Sequence, residues 1–412
     1  MLIMKEIVLI TISGQDRPGI TAEITGVLAK YNVTVLDIGQ SVNHHALSLG
    51  LLIESSSELS GCSLFKDLLF KGHELNLIVR FTPVSEEDYE SWVAGQGRPR
   101  HIVTLLGRQI TARHLAGVSE IVSKLGFNIE EIVRLSGRIS LAKPETNRHG
   151  ASIQLTLSGQ ADDVPAMHGE FFKVSQNLGI DVAVQEDNLY RRSRRLVCFD
   201  MDSTLIQTEV IDELALRAGV GEQVSAITES AMRGELDFSE SFRKRMALLE
   251  GLEESVLKEI AEKLPLTDGA EKLIKTFRHF GYKVAILSGG FTYFANHLKE
   301  TIGIDYVYAN ELDIKNGKLT GKVKGSIIDG NQKAKLLIQL AEKEGINPEQ
   351  VIAVGDGAND LPMLSIAGLG IAFHAKPIVK EKARHSIATL GLDSILYLLG
   401  MRDIDLEKLD LD

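Results

Sequence analysis

Three short runs that are apolar throughout constrain the fold of this chain most strongly. The runs RLVCFD, VAILSGG and VIAVGDGAND each end in aspartate, serine or glycine, and helical patterns separate them. Strands without a polar face belong to a parallel sheet that helices cover on both sides. The C-terminal half is therefore predicted to be α/β. Because ligands of such sheets bind at the carboxyl ends of the strands, the polar residues that end the runs are the candidate site.

The segment that follows the first run contains no further strand pattern. Residues 211–265 show several helical patterns in succession, among them ELALRAGVG and FSESFRKRMALLEGL. A purely helical stretch between two strands of one sheet is an insertion. We therefore expect a helical cap after the first strand.

The N-terminal half repeats one order of elements. A strand, KEIVLITIS, precedes a helix whose apolar residues recur at i, i+4, i+7 and i+8, and two further strands follow. The same order starts again at His101, and residues 30–38 (KYNVTVLDI) align with residues 124–132 (KLGFNIEEI). This divergent repeat predicts two small α+β units of roughly 90 residues each.

A chain of 412 residues is long for one core and fits three domains. The composition is ordinary for globular proteins, with 44% hydrophobic and 25% charged residues. The predicted division is 1–92 and 98–186 for the repeats, 187–195 for a linker, 196–400 for the α/β domain and 401–412 for an acidic tail.

Charge and hydropathy exclude two classes of partner. The net charge of −11 disfavours nucleic acid, and the single basic cluster is interpreted as a solvated linker: Arg191, Arg192, Arg194 and Arg195. No apolar run reaches the roughly 18 residues that span a membrane. The apolar N-terminus alternates like a strand and lacks the features of a signal peptide.

The two cysteines give no support to a disulfide framework or a zinc site. Cys62 and Cys198 lie far apart in the sequence, without the spacing of metal ligands. We expect a cytoplasmic protein.

Paired carboxylates end the first apolar run. Asp200 and Asp202 in FDMDSTL are two positions apart at a strand end, so both side chains face one small volume. Their mutual repulsion requires a cation, and hard oxygen ligands favour Mg²⁺ over zinc.

The other two runs and one lysine complete the candidate site. GDGAND contributes Asp356 and Asp360, and SGG contributes the Ser288 hydroxyl and the Gly289 backbone amide, which suit phosphate oxygens. Lys333 supplies the positive charge that a phosphoryl transition state requires. Each motif alone is typical of an ordinary turn, but their order along the chain favours phosphoryl chemistry.

These four motifs, in this order, resemble those of the haloacid dehalogenase-like phosphatases over residues 196–400. The resemblance implies a Rossmann-like sheet, a nucleophile at Asp200 and a general acid and base at Asp202. It also implies Mg²⁺ bound by the Asp200 side chain, the Asp202 backbone carbonyl and the Asp356 side chain. Asn359 would orient the phosphoryl group or the entering water, and Asp360 would support the metal's water shell and Lys333.

A finer resemblance is to the phosphoserine phosphatase family, and four residues carry it: Glu209, Met232, Phe238 and Arg245. It implies hydrolysis of O-phospho-L-serine, the last step of serine biosynthesis. The residue types fit that substrate, because Glu209 would bind its ammonium and Arg245 its carboxylate. Met232 and Phe238 would form a lid that excludes water.

The repeats resemble ACT domains, the amino-acid-sensing modules of ferredoxin-like fold. In the first repeat GQDRPGI is similar to their ligand-binding turn, with Asp16 and Gly19 as candidate contacts, whereas GRQITARHL in the second lacks the proline and glycine. The resemblance implies a homodimer and serine as an effector.

Three alternatives stay open at this point. A related cap-bearing phosphatase or a phosphoserine:homoserine phosphotransferase would share every catalytic motif. The chain could also be an amino-acid sensor whose catalytic domain is degenerate. The repeats could serve dimerisation alone, without a ligand.

Overall fold

The computed structural model describes residues 5–56, 63–138, 142, 150–160, 163–232 and 235–409. The chain forms two compact units, Met1–Arg98 and Pro99–Asp412. Among the described residues, none of the helices has the length and apolar character needed to cross a membrane.

The first unit is one antiparallel sheet with helices on it. Its strands are β1 (Lys5–Gln15), β2 (Thr34–Asn43), β3 (Ala46–Ser56) and β4 (Leu77–Val84), and its helices are α1 (Ile20–Lys30), α2 (Ser63–Glu74) and α3 (Glu86–Ala94). The strand order is β2-β3-β1-β4. The predicted apolar face of α1 is buried, and its residues form one core with alternate residues of β1. Sequence analysis did not predict β4.

The second unit starts with the same arrangement. Its first elements are β5 (Arg100–Gly107), α4 (Ala112–Lys124), β6 (Asn128–Arg134), β7 (Ala151–Ser158), α5 (Val164–Leu178) and β8 (Asp181–Glu186). The sheet order β6-β7-β5-β8 corresponds strand for strand to the order in the first unit. The predicted pair of α+β units is therefore confirmed.

A seven-stranded sheet forms the α/β domain. Its strands are β9 (Leu196–Phe199), β10 (Lys283–Phe291), β11 (Tyr306–Lys315), β12 (Lys318–Lys324), β13 (Val351–Gly355), β14 (Leu369–Phe373) and β15 (His385–Ile387). The order is β12-β11-β10-β9-β13-β14-β15, and all neighbours are parallel except β11 and β12. The predicted parallel α/β sheet is confirmed, with an antiparallel hairpin at one edge.

The helices of this part of the chain either cover the faces of the sheet or form the cap. They are α6 (Leu189–Arg192), α7 (Val210–Ala218), α8 (Gly221–Met232), α9 (Phe238–Ala247), α10 (Ser255–Ala261), α11 (Ala270–His279), α12 (Thr292–Leu298), α13 (Gly330–Lys343), α14 (Leu361–Ile366), α15 (Pro377–Lys382), α16 (Ile395–Leu398) and α17 (Asp403–Leu406). Val197 and Phe199 of β9 point into one apolar core, and Leu196 and Cys198 point into the other. Helices α7 to α10 form the predicted cap.

The second ACT-like domain packs on the α/β domain through buried hydrogen bonds between β8 and the C-terminal region. The Asp181 carboxylate accepts hydrogen bonds from the backbone amides of Ala388 and Thr389, both at 2.9 Å. The Gln185 amide donates to the carbonyl oxygen of Leu398 at 2.9 Å. Because buried polar groups are stabilised only when they are paired, these bonds fix one docking geometry.

The predicted linker is part of this contact. Arg194 is 4% exposed, and its guanidinium donates to the Gln185 side chain at 3.0 Å and to the Gly368 carbonyl at 3.3 Å. Arg191 is also largely buried. The interpretation of the arginine cluster as solvated is therefore wrong for these two residues, although Arg192 and Arg195 are exposed. The error arose because sequence spacing does not reveal that the segment is covered by two domains.

Shortened chains test this docking. We expect a chain that begins at Pro99 to keep the melting transition of the second unit. A chain that begins at Leu189 loses β8 and should melt roughly 6–12 °C lower, for a loss of about 3 kcal/mol. Thermal unfolding followed by circular dichroism measures both. Equal melting temperatures would show that the contacts with β8 contribute no stability.

Candidate active site

The end of β9 positions the predicted nucleophile. Asp200 directly follows the strand, and its carboxylate accepts a hydrogen bond from the Met201 amide at 2.7 Å. An irregular turn, Met201–Leu205, follows, in which Ser203 has a φ of 56°. Few residue types adopt this left-handed backbone without strain, and strain of this kind concentrates at functional sites. Asp200 is 6% exposed.

Lys333 joins the ends of two strands. Its ammonium group lies 2.7 Å from an oxygen of Asp200 and 2.7 Å from an oxygen of Asp360, and the lysine is completely buried. Burial alone would lower the pKa of Lys333, but the charges of the two aspartates raise it above its ordinary value. The lysine is therefore a fixed cation. The other Asp360 oxygen accepts from the Gly357 amide at 2.9 Å, so both oxygens of this carboxylate have partners.

Three carboxylates lie close enough to share a metal ion. Oxygens of Asp200, Asp356 and Asp360 are all within 4.8 Å of one another. Burial, together with the charges of Asp200 and Asp360, raises the pKa of Asp356 to about 8. Such crowding of carboxylates is relieved by a cation, and the all-oxygen donor set fits a hard divalent ion.

Asp202 lies in the turn after β9 and contacts the start of α7. Its carboxylate accepts a hydrogen bond from the Val210 amide at 3.2 Å. A Cβ atom on Gly290 would lie 2.5 Å from its other oxygen, so β10 approaches this carboxylate closely. Burial, followed by the charges of Glu209 and Asp200, raises the pKa of Asp202 well above its ordinary value. A raised pKa favours the protonated carboxyl group, which is the form that acts as a general acid.

The end of β10 supplies polar groups opposite the carboxylates. Ser288 is completely buried, and its hydroxyl oxygen accepts from the Gly290 amide at 2.9 Å. The Asn310 side chain donates to the Gly289 carbonyl at 2.8 Å and accepts from the Ile328 amide at 2.9 Å. Asn310 thereby fixes the SGG segment of β10 (Ser288–Gly290) against the loop before α13. A rigid segment of this kind can present hydroxyl and amide groups to an anion.

Residues of the cap face this site with opposite charges. The Ser203 hydroxyl donates to the Glu209 carboxylate at 2.8 Å. Glu209 is accessible to water, yet the surrounding protein and the charge of Asp200 raise its pKa. Arg245 on α9 is half-buried, and its Nε atom has no hydrogen-bond partner among the described residues. The charge of Glu209 acts on Arg245, so the two residues share one region.

Phe238 closes the apolar side of this region. A Cβ atom on Gly289 would lie 3.0 Å from the tip of the Phe238 ring, which shows that the cap contacts the SGG segment of β10 directly. The Phe238 ring stacks on Phe242, and Phe242 in turn packs on Phe291 of β10. The side chain of Met232 lies outside the described residues, although its backbone ends α8.

Asn359 lies in the short turn Ala358–Asp360 after β13, and it is half-buried. Its backbone carbonyl approaches Gly330, where a Cβ atom would lie 2.5 Å from that oxygen. The structure thus places Asn359 at the junction of β13 and α13, beside Asp356 and Asp360 in the chain.

Three residues that shape the site were not predicted from the sequence. The buried Thr204 donates to Asp356 at 3.2 Å, Asn310 holds the SGG segment of β10, and Asp212 adds a negative charge that acts on Arg245. Thr204 lies two residues after Asp202, in the same motif, and could have been found from that position. Asn310 lies inside an ordinary strand pattern, so no sequence signal separated it from a surface residue.

Comparison with known proteins agrees with this geometry. A family model described as haloacid dehalogenase-like hydrolase matches residues 194–368. Two models described as ACT domain match residues 6–82 and 99–185. The fold and the site define a haloacid dehalogenase-like hydrolase that carries two ACT domains.

Individual relatives show to which family of these hydrolases the chain belongs. The chain is 39% identical to a phosphoserine phosphatase of Streptomyces coelicolor, over 98% of this chain and 94% of that protein. It is 40% identical to one of Mycobacterium tuberculosis, over 98% and 95% respectively. The crystal structure of a probable phosphoserine phosphatase from Vibrio cholerae superposes with a TM-score of 0.57 at 35% identity, over 77% of this chain and 91% of that one. The chain belongs to the phosphoserine phosphatase family.

Proposed function

We propose that this chain hydrolyses O-phospho-L-serine to L-serine and phosphate through an aspartyl-phosphate on Asp200. The observation that carries the choice of substrate is the pair Glu209 and Arg245 beside the nucleophile. Arg245 has a buried N–H without a partner in the described part of the chain, and Glu209 provides the opposite charge. The two match the carboxylate and the ammonium that phosphoserine carries in addition to its phosphate.

In the first step an Asp200 oxygen attacks phosphorus in line, and the bond from phosphorus to the seryl oxygen breaks. Asp202 donates its proton to the seryl oxygen as serine leaves. The raised pKa of Asp202 supports this role, because the group must be protonated before the step. Ser288, Gly289 and Lys333 hold the transferring phosphoryl group.

In the second step Asp202, now a carboxylate, takes a proton from water. The water oxygen attacks phosphorus, and the bond from phosphorus to the Asp200 oxygen breaks to release phosphate. Asn359 orients the phosphoryl group or this water. Phe238 and Met232 exclude water from the site during the first step, while Asp200 attacks.

The residues proposed to hold Mg²⁺ are Asp200 and Asp356 through their side chains and Asp202 through its backbone carbonyl. When bound, Mg²⁺ neutralises the crowded carboxylates and the phosphate oxygens. The two existing partners of the Asp360 carboxylate, Lys333 and the Gly357 amide, support a role for Asp360 in positioning the lysine.

A phosphate-release screen over phosphoserine, phosphothreonine, phosphoethanolamine and sugar phosphates tests the proposed substrate. We expect phosphoserine to give the highest kcat/KM. Phosphoethanolamine lacks the carboxylate that Arg245 would bind and should be hydrolysed far more slowly. Equal rates for these two substrates would refute the role of Arg245. If added homoserine leaves phosphate release unchanged, the reaction is hydrolysis and not phosphotransfer to homoserine.

Glu209→Gln should weaken phosphoserine hydrolysis selectively. The change removes the negative charge that faces the substrate ammonium, and we expect kcat/KM for phosphoserine to fall roughly 30- to 1,000-fold. The substrate p-nitrophenyl phosphate has no ammonium and should be affected much less. Steady-state kinetics with both substrates measures the difference.

The matched control is Glu222→Gln, which removes the same charge from an exposed position of α8 in the cap. It should change neither substrate's kinetics. An equal loss for both substrates in Glu209→Gln would place Glu209 in the catalytic machinery instead of the serine-recognition site.

For the ACT domains we propose serine as the effector, with Asp16 and Gly19 of the first domain as contacts. Gly19 precedes α1 with a φ of 96°, a backbone conformation that suits glycine. We also propose that the enzyme is a homodimer in the cytoplasm, where it catalyses a step of serine biosynthesis.

A further inference from the structure

A cavity lies between the second ACT domain and the α/β domain, within the second unit and apart from the active site. Its volume is about 180 Å³. The ACT domain contributes His101 and His168 to its wall, and the α/β domain contributes Gly368, Arg384 and His385. At about 30 Å³ per water molecule, the space holds a small ion with a few waters but no nucleotide.

Three arginines line this cavity: Arg191, Arg194 and Arg384. Arg194 is 4% exposed, and both of its terminal nitrogens already donate to protein acceptors. Its Nε atom is buried and has no partner among the described residues, and the same holds for Nε of Arg191. Leaving a buried donor without an acceptor is unfavourable, because the donor has lost its hydrogen bonds to water. Two such donors on residues that line one cavity point to an acceptor that the described residues do not provide.

The charges around the cavity also favour a negatively charged ligand, because positive groups are in excess at its buried end. Its two lining carboxylates, Glu186 and Glu349, belong to residues that are exposed to solvent. Burial, followed by the charge of Arg191, lowers the pKa of Arg194 to about 10. The nearby Asp187 does not line the cavity, and it pairs with Arg192 at 2.5 Å and with Arg191 at 3.8 Å, so two arginines share one carboxylate. The buried end of the cavity is therefore positive.

His385 does not supply the missing acceptor. Both of its ring nitrogens are engaged, one with the Gly370 carbonyl at 3.1 Å and the other with the Val184 carbonyl at 2.9 Å. Nδ1 of His101 is also buried without a partner among the described residues, and it donates only in the tautomer that carries the proton there. A ligand that pairs with both arginine Nε donors must therefore offer acceptor oxygens, and a negative charge suits the surrounding arginines.

We propose that this cavity binds a small oxyanion of the size of phosphate or sulfate, held by Arg191, Arg194 and Arg384. Planar guanidinium groups bind such oxygens with charge-assisted hydrogen bonds. Arg191 and Arg194 follow β8, whereas Arg384 precedes β15. The anion thus joins the two domains, and its binding stabilises their docked arrangement.

Thermal unfolding of the full-length chain tests this site without reference to turnover, so its result is independent of the proposed substrate. Inorganic phosphate and sulfate are compared with sodium chloride at equal ionic strength, in the absence of Mg²⁺. At about ten times the dissociation constant, either oxyanion should raise the melting temperature of the wild type by roughly 3 °C above the chloride value. An equal melting temperature in chloride and in both oxyanions would overturn the proposal.

Variants separate this cavity from anion binding at the active site. Arg384→Gln changes an exposed residue and should weaken oxyanion binding about tenfold, as should Arg191→Gln. The matched control is Arg195→Gln, which removes a charge from the same cluster at an exposed position that does not line the cavity. It should keep the full shift. If all three variants keep the wild-type shift, the anion binds elsewhere and the proposal is wrong.

Discussion

Asp200→Asn is expected to lower kcat for phosphoserine by more than about 1,000-fold while leaving the fold intact. An amide is a far weaker nucleophile than a carboxylate and cannot form the acyl-phosphate. The fold should survive because asparagine has the same shape and its amide oxygen can still accept from the Met201 amide. Turnover is measured as phosphate release, and the fold is checked by thermal unfolding.

The matched control is Asp305→Asn, an isosteric change before β11, at the amino end of the same sheet. Asp305 accepts from the Val284 amide at 2.9 Å, a bond that asparagine can also make. Its kinetics should equal those of the wild type. Residual activity of Asp200→Asn above about a thousandth of the wild-type rate would remove Asp200 from the nucleophile's role.

Asp202→Asn should separate the two chemical steps. With p-nitrophenyl phosphate the leaving group needs no proton, so Asp200 can still attack. The water of the second step then lacks its base. We expect a burst of about one equivalent of nitrophenol, followed by turnover about 100- to 10,000-fold slower than in the wild type. Phosphoserine, whose leaving oxygen needs the proton, should show no burst. Stopped-flow absorbance measures the burst of nitrophenol, and rapid-quench analysis of released serine measures the first step with phosphoserine.

Asp356→Asn is compared with Asp202→Asn for its effect on Mg²⁺ affinity. Asp356 belongs to the carboxylate cluster, so its change should raise the Mg²⁺ concentration needed for half-maximal activity. Asp202→Asn keeps the backbone carbonyl and should leave that concentration nearly unchanged. An equal loss of Mg²⁺ affinity in both variants would contradict the division of roles between the acid and the metal ligands.

The sequence was sufficient for the parts of the fold that are built from local patterns. The strand β9 was predictable because four successive apolar residues can be buried only in a sheet covered on both faces, and the cores on its two sides confirm this. The carboxylate cluster was predictable because parallel strands bring their carboxyl ends to one edge. The paired aspartates and the aspartates of GDGAND therefore lie at the same edge of the sheet, even though a long stretch of chain separates them in the sequence.

Contacts between domains could not be predicted in the same way. Arg194 and His385 each have polar groups that find partners only across the domain contact, and 190 residues separate them in the chain. No local pattern marks an arginine as buried when its acceptors come from Gln185 and Gly368. The same reason explains Asn310, whose partners lie on β10 and in the loop before α13.

The contact between β8 and β15 has a consequence for assembly on the ribosome. Translation completes β8 about 200 residues before it reaches β15, which at 5–20 residues per second corresponds to roughly 10–40 s. During this time Asp181 and Gln185 face water without their later partners. The three-residue strand β15 then emerges next to a surface that has already folded. The second ACT domain thus provides the surface against which the last strand of the α/β sheet packs.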